Sequence, residues 1–259
     1  MTEDPRIIWS PAPAEQRAQW KSALEGSTPN PELPVTLEHI LCRAILSHDF
    51  DLVRACLSKE VELNSWVHES VGMRLSLDLV EILMPAGLDV NYNLGRQGYY
   101  ITIAVRKNDL SLAEYLLQHG ADVNKPGMVY QFPAVALAVS NDNAEMVELL
   151  IQHGAQIDGS GALGMAAAHG KLKMLDLLLF KYGVDININD NDRKTNHLRF
   201  IMKNKDFTAL HEAAAAGQVD AVTYLLKHGA NADLEAEGRT PVMVAREREH
   251  WEVVELLEK

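Results

Sequence analysis

An imidazole beside a carboxylate can move protons, and two imidazoles one helical turn apart can hold a metal, so the ten histidines are where chemistry would show first. His119, His153 and His228 each stand directly before a glycine at the end of an apolar stretch. There an imidazole can meet the free carbonyls of a last helical turn. His153 follows His119 by 34 positions, which sets the rings in a row rather than around one ion. No histidine pair has i, i+4 spacing with a carboxylate, and Cys-x-x-Cys is absent. A nucleophile elbow, a phosphate-cradling glycine loop and a dinucleotide fingerprint are absent too. Asp190-Asn191-Asp192 starts like a calcium loop but lacks the glycine and the bidentate glutamate at their offsets. No cofactor and no metal are expected. One sharper option remains, in which His169 and Asp142 act as acid and base with Tyr130, while Tyr99 and Arg106 orient a small ligand. The plain reading of His169 is a polar residue at a helix end.

The elements that must position these residues are legible in Thr208–Asp233. Ala209–Ala216 is nearly all small, so another backbone can approach it closely. Val219–His228 carries Val222, Leu225 and Leu226 at i, i+3, i+4, an apolar stripe on a helix. Gly217 breaks the first helix and Gly229 ends the second, each suited to a left-handed exit. Such a hairpin cannot bury its apolar face alone and needs neighbours of its own kind.

The copies are present. The exit phrase recurs at Gly87–Asn91, Gly120–Asn124, Gly154–Asp158, Gly183–Asn187 and Gly229–Asp233, with a glycine-free version at Glu60–Asn64. Asn124 follows Asn91 by 33 residues. With that period, Thr208–Ala213 (TALHEA) resembles the ankyrin phrase T-P-L-H-x-A, and Thr240–Ala245 is a weaker copy. The resemblance covers roughly Pro34 to Lys259. It implies an all-α ankyrin-repeat solenoid of about seven helix-turn-helix repeats with short β-turn fingers and helical caps. It also implies that Thr208 and His211 hydrogen-bond the turn and the neighbouring repeat.

Residues 1–33 form a Pro-rich segment with one helix, Ala14–Glu25, whose Trp20, Ala23 and Leu24 share a face suited to capping the array. Repeats are expected at about 34–64, 65–91, 92–124, 125–158, 159–187, 188–233 and 234–259. The second is short, which predicts a truncated finger. The fifth has a shortened finger and a nearly bare inner helix, Leu163–Ala168, which predicts an open floor. The sixth carries an insertion, 190–206, that is locally basic.

The fingers before repeats three and four are aromatic. Tyr99 and Tyr100 stand where the resemblance puts Thr-Pro, and Tyr130 and Phe132 stand at the corresponding place one repeat on. With Tyr92, these rings are expected to converge on one edge beside Arg106 and Lys107. Aromatic rings with a guanidinium are a usual hot-spot composition. The partner-binding set is therefore Tyr92, Arg96, Tyr99, Tyr100, Arg106, Lys107, Tyr130 and Phe132, with Arg193, Lys194 and Arg199 from the insertion.

A net charge of −12 disfavours a grip on nucleic acid or an anionic membrane. No apolar run reaches a membrane span, and Ile7-Ile8-Trp9 is too short for a signal-peptide core. Cys42 and Cys56 fall in helix-core registers and read as buried thiols of a reducing compartment, cytoplasmic or nuclear. The expected function is non-catalytic binding of another protein by a monomeric adaptor, inhibitor or scaffold. The alternative is an enzyme or small-molecule binder with a pocket between the aromatic fingers and repeat five. Because stability in repeat arrays sums repeat by repeat, repeat two should exchange its amide hydrogens faster than repeats three, four and six. Uniform protection in hydrogen exchange would refute this.

Overall fold

In the computed structural model, the described residues are 10–25, 35–125, 132–189 and 207–259. They form fifteen α-helices, and the one β-bridge joins Ala236 to Arg239. The chain divides into two compact units, Met1–Ile103 and Ala104–Lys259.

In the first unit, α1 (Ala14–Glu25), α2 (Leu37–Leu46), α3 (Phe50–Leu57), α4 (Ser65–Arg74) and α5 (Leu77–Leu83) precede the start of α6 (Tyr100–Arg106). Side chains set the helix starts. Thr36, Asp49 and Ser76 each accept a hydrogen bond from the backbone N–H three residues on, meeting a donor the helix cannot satisfy itself. Asn64 accepts from Trp66 and Val67, so α4 begins directly after Glu60–Asn64 with almost no finger before it. Helix α2 packs on both α3 and α4, and every side chain from His39 to Leu46 is buried. Helix α1 lies on α3 with Trp20 and Leu24 buried. Glu60 takes the glycine-exit position in left-handed conformation, φ 55°.

In the second unit, the inner helices α8 (Ala134–Ser140), α10 (Ala162–Ala168), α12 (Ala209–Ala215) and α14 (Pro241–Glu247) stack in that order. Their alanines let the helices approach closely. A Cβ added at Gly164 would stand 3.3 Å from Cγ of Glu212. The expected open floor is therefore corrected: Ala162–Ala167 is buried because α12 packs over it. The outer helices are α7 (Leu110–Gln118), α9 (Ala144–Gln152), α11 (Leu172–Asp176), α13 (Val219–Lys227) and α15 (Trp251–Leu257).

Helix α11 continues as one π turn, Leu177–Lys181, closed by Tyr182 N–H to the Leu177 carbonyl at 3.3 Å. Its cause is one extra residue. Thirteen positions lead from Gly170 to Gly183, against twelve from Asn108 to Gly120 and from Gly217 to Gly229. A π turn absorbs a single insertion without moving either end of the helix. Phe180 is left largely exposed there.

A non-glycine left-handed residue is strained by about 1–2 kcal/mol, and glycine returns part of that gain as unfolded-chain entropy. Glu60→Gly should stabilise the chain by about 0.5–1 kcal/mol in urea unfolding. An unchanged or lower midpoint would contradict this account of the Glu60 turn.

Candidate functional site

The best-ordered histidine lies between two repeats. Thr208 begins α12, and its hydroxyl lies 2.8 Å from Nδ1 of His211, whose Nδ1 also accepts from the Thr208 N–H at 3.3 Å. On its far side Nε2 donates to the Arg239 carbonyl of the following finger at 3.0 Å. Phe207 stacks on the imidazole, and the Arg239 guanidinium lies over the Phe207 ring. Both nitrogens are engaged and the ring is fully buried. Burial lowers the pKa of His211, outweighing the Arg239 carbonyl bond that raises it. This histidine joins backbones.

The residues considered for proton transfer are held in turns and caps. His169 ends α10, exposed, with Nδ1 at 2.9 Å from the Met165 carbonyl. Asp142 occupies the left-handed turn between α8 and α9, φ 59°, and its carboxylate pairs with Lys171 at 3.7 Å. Asp142, a catalytic candidate only in the enzyme alternative, thus has a lysine as its cation partner. Tyr130 lies outside the described residues. His119, His153 and His228 cap α7, α9 and α13. His119 reaches the Tyr115 carbonyl at 2.8 Å. Among the described residues no cluster of His, Cys, Asp or Glu could hold a metal ion. Burial pushes the Cys42 thiol up to about 11 and Cys56 up to about 12, so both stay protonated and unreactive at neutral pH.

The aromatic finger has an interior and an exterior. Tyr100 is 0% exposed, which corrects its placement among the contact residues. Its hydroxyl lies 2.8 Å from Nδ1 of His68 and donates to the His68 carbonyl at 3.2 Å. Both contacts are met at once when Nδ1 carries the imidazole proton. Tyr92 stacks face to face on the same imidazole, 4.0 Å between centroids. Leu94 closes the finger by accepting no side-chain help: its N–H bonds the Gly98 carbonyl at 2.8 Å, and its methyls seat against Gly72 of α4. Tyr99 stays half-buried, its backbone capped by Thr102.

Arg96, Arg106 and Lys107 are exposed. Phe132 is half-buried in the second unit, just before α8. Arg193, Lys194 and Arg199 lie outside the described residues. The structure thus brings Tyr92 and Tyr100 together around His68, while the wider convergence of rings remains a proposal. Neither Met73 nor Trp66 was singled out from the sequence. They are 47% and 48% exposed and stand seven residues apart on α4, two helical turns along one face. Two large apolar residues at i, i+7 with a serine and a glutamate between them were the available signal.

A model of ankyrin repeats in three copies matches residues 101–190 and 191–259. Alpha-latrocrustotoxin-Lt1a of Latrodectus tredecimguttatus is 27% identical over 210 residues, covering 80% of this chain and 11% of the toxin. Alpha-latroinsectotoxin-Lt1a of the same spider is 30% identical over 176 residues, 66% of this chain and 9% of the toxin. The chain spans about a tenth of the length of these relatives.

Burial lowers the pKa of His68 despite the opposing pull of Asp89. The folded imidazole therefore binds a proton less readily than the unfolded one, whose value is near 6.5. The stability it contributes is complete above that value and is lost as pH falls through the folded pKa. Wild type should lose more stability between pH 7.5 and pH 5 than His68→Asn, measured by urea unfolding at each pH. Equal losses would contradict the burial argument.

Proposed function

The chain belongs to the ankyrin-repeat family, and we propose that it is a non-catalytic module that binds another protein as an adaptor, inhibitor or scaffold. Ankyrin repeats are generally protein–protein interaction modules, and the family is typically non-enzymatic. The observation that carries the proposal is the exposed pair Trp66 and Met73 on α4, in a unit whose other large apolar side chains are mostly buried. An exposed tryptophan with a flexible methionine two turns away gives a partner an anchor and an adaptable neighbour. The absent finger before α4 supports this reading, since Asn64 caps the helix directly and nothing longer intervenes in sequence.

Tyr92, Tyr99 and Arg96 form a second patch in the proposal, on the finger that packs against the His68–Gly72 side of α4, and Arg106, Lys107, Tyr130 and Phe132 belong to that patch. Arg193, Lys194 and Arg199 add a basic arm that suits an acidic partner segment. A monomer in the cytoplasm or nucleus is part of the same reading. No described helix is long and apolar enough to cross a membrane. The toxin activity of the relatives is not carried over, because the match covers so little of them.

The test is affinity capture with the wild-type chain, followed by titration of the captured protein against variants. Trp66→Ala should weaken binding about 30-fold, the loss of one hot-spot anchor. Tyr99→Ala with Phe132→Ala should abolish it while circular dichroism stays unchanged. Full affinity in both variants would remove this surface from the account.

A further inference from the structure

Buried charge marks a second place in the first unit. The cations that α1 turns toward α3 both have carboxylates: Arg17 Nε lies 3.0 Å from Asp49, and Lys21 Nζ lies 2.9 Å from Asp51. Arg43, in the last turn of α2, has none within ion-pair distance among the described residues. It is only 6% exposed, and its Nε has no hydrogen-bond partner. The guanidinium sits 5.5 Å from the centre of the Trp20 ring, itself buried under α1.

A tryptophan face answers one side of a guanidinium through cation–π attraction, and the carbonyls of the last helical turn offset some of the charge. Neither meets the in-plane Nε–H, one arm of a guanidinium edge whose natural partner is a planar or tetrahedral oxyanion. Leaving that buried donor unmet is costly, and an apolar residue of similar volume would pack there without the penalty. The neighbouring acids Asp49 and Asp51 are already neutralised by Arg17 and Lys21, so they do not repel an incoming anion at full strength.

We propose that Arg43, backed by Trp20, is the receptor for an oxyanion, a carboxylate or phosphate group carried into the edge of the α1–α2 junction. The proposal does not depend on the α4 surface, and its test needs no protein partner.

The Nε–Hε resonance of Arg43 in the full chain is followed by NMR during titration with sodium phosphate, sodium acetate and sodium chloride at constant ionic strength. The site predicts a saturable shift with phosphate or acetate and none with chloride. A response to acetate identifies a carboxylate ligand, and a response to phosphate alone identifies a phosphate. Thermal unfolding supplies the second readout. Phosphate or acetate should raise the wild-type midpoint, Arg43→Lys should bind at least fivefold more weakly, and Arg43→Met should show no response while folding at least as stably as wild type. No shift beyond chloride would overturn the proposal. So would an equal thermal response in Arg43→Met, which would mean an adventitious ion only. Loss of stability in Arg43→Met without any anion response in wild type would make the cation–π contact purely structural.

Discussion

Close approach of alanine-rich helices in the second unit requires that each repeat be locked to the next in both distance and register. Small side chains supply the distance: α10, α12 and α14 stack through Ala166, Ala167, Ala213 and Ala214, all buried. His211 supplies the register, because one imidazole accepts from the Thr208 turn and donates to the Arg239 carbonyl of the next finger. Asparagines repeat the device on the outside. Asn124 donates to the Gly154 carbonyl and accepts from the Gln156 N–H, and Asn187 accepts from Asn231. Asn143 bonds Asn108 and His250 bonds the Ala215 carbonyl in the same way, so a stack of helices with few long-range strand pairings is tied turn to turn by side-chain bridges. The same bridges decide the chemistry. An imidazole with both nitrogens bonded to its own fold has no nitrogen left for a substrate.

Departures from that rule are where the molecule opens. In repeat seven Met243 stands at the position of His211 and is 47% exposed, while the buried Thr240 hydroxyl has no hydrogen-bond partner. The Thr–His pair has lost its acceptor, because the thioether of Met243 does not replace the imidazole nitrogen. In repeat two the finger is absent, and Trp66 and Met73 are exposed on α4. Repeat six, which keeps the full phrase, buries Phe207, Thr208 and His211 together.

Much of this architecture is readable without coordinates. Gly120, Gly154 and Gly229 are left-handed as a helix exit demands, and their spacing exposes the period. The Thr208–His211 phrase names its own hydrogen bonds. Legibility fails where a tertiary partner overrides the local pattern. Tyr100 looks like an exposed finger residue until His68, 32 positions earlier, provides a buried partner. Leu163–Ala168 looks like an open floor because the covering helix lies beyond the long 190–206 insertion. Glu60 takes a left-handed exit that its residue type does not advertise. The π turn after α11 was present in the sequence as one extra residue, visible only when hairpins are counted from turn to exit. Arg43 gave no signal, since a single arginine on an apolar helix reads as an ordinary polar position.

The central claim is that His211 ties two repeats together through both of its ring nitrogens. Long-range nitrogen–proton NMR of His211 between pH 5 and pH 8 tests it most directly, because tautomer and charge are read from the same spectrum. The account predicts a neutral ring with the proton on Nε2, persisting below the usual histidine range. A ring that titrates at the ordinary value, or carries its proton on Nδ1, would contradict the bridge to Arg239 and return His211 to the list of residues free to do chemistry.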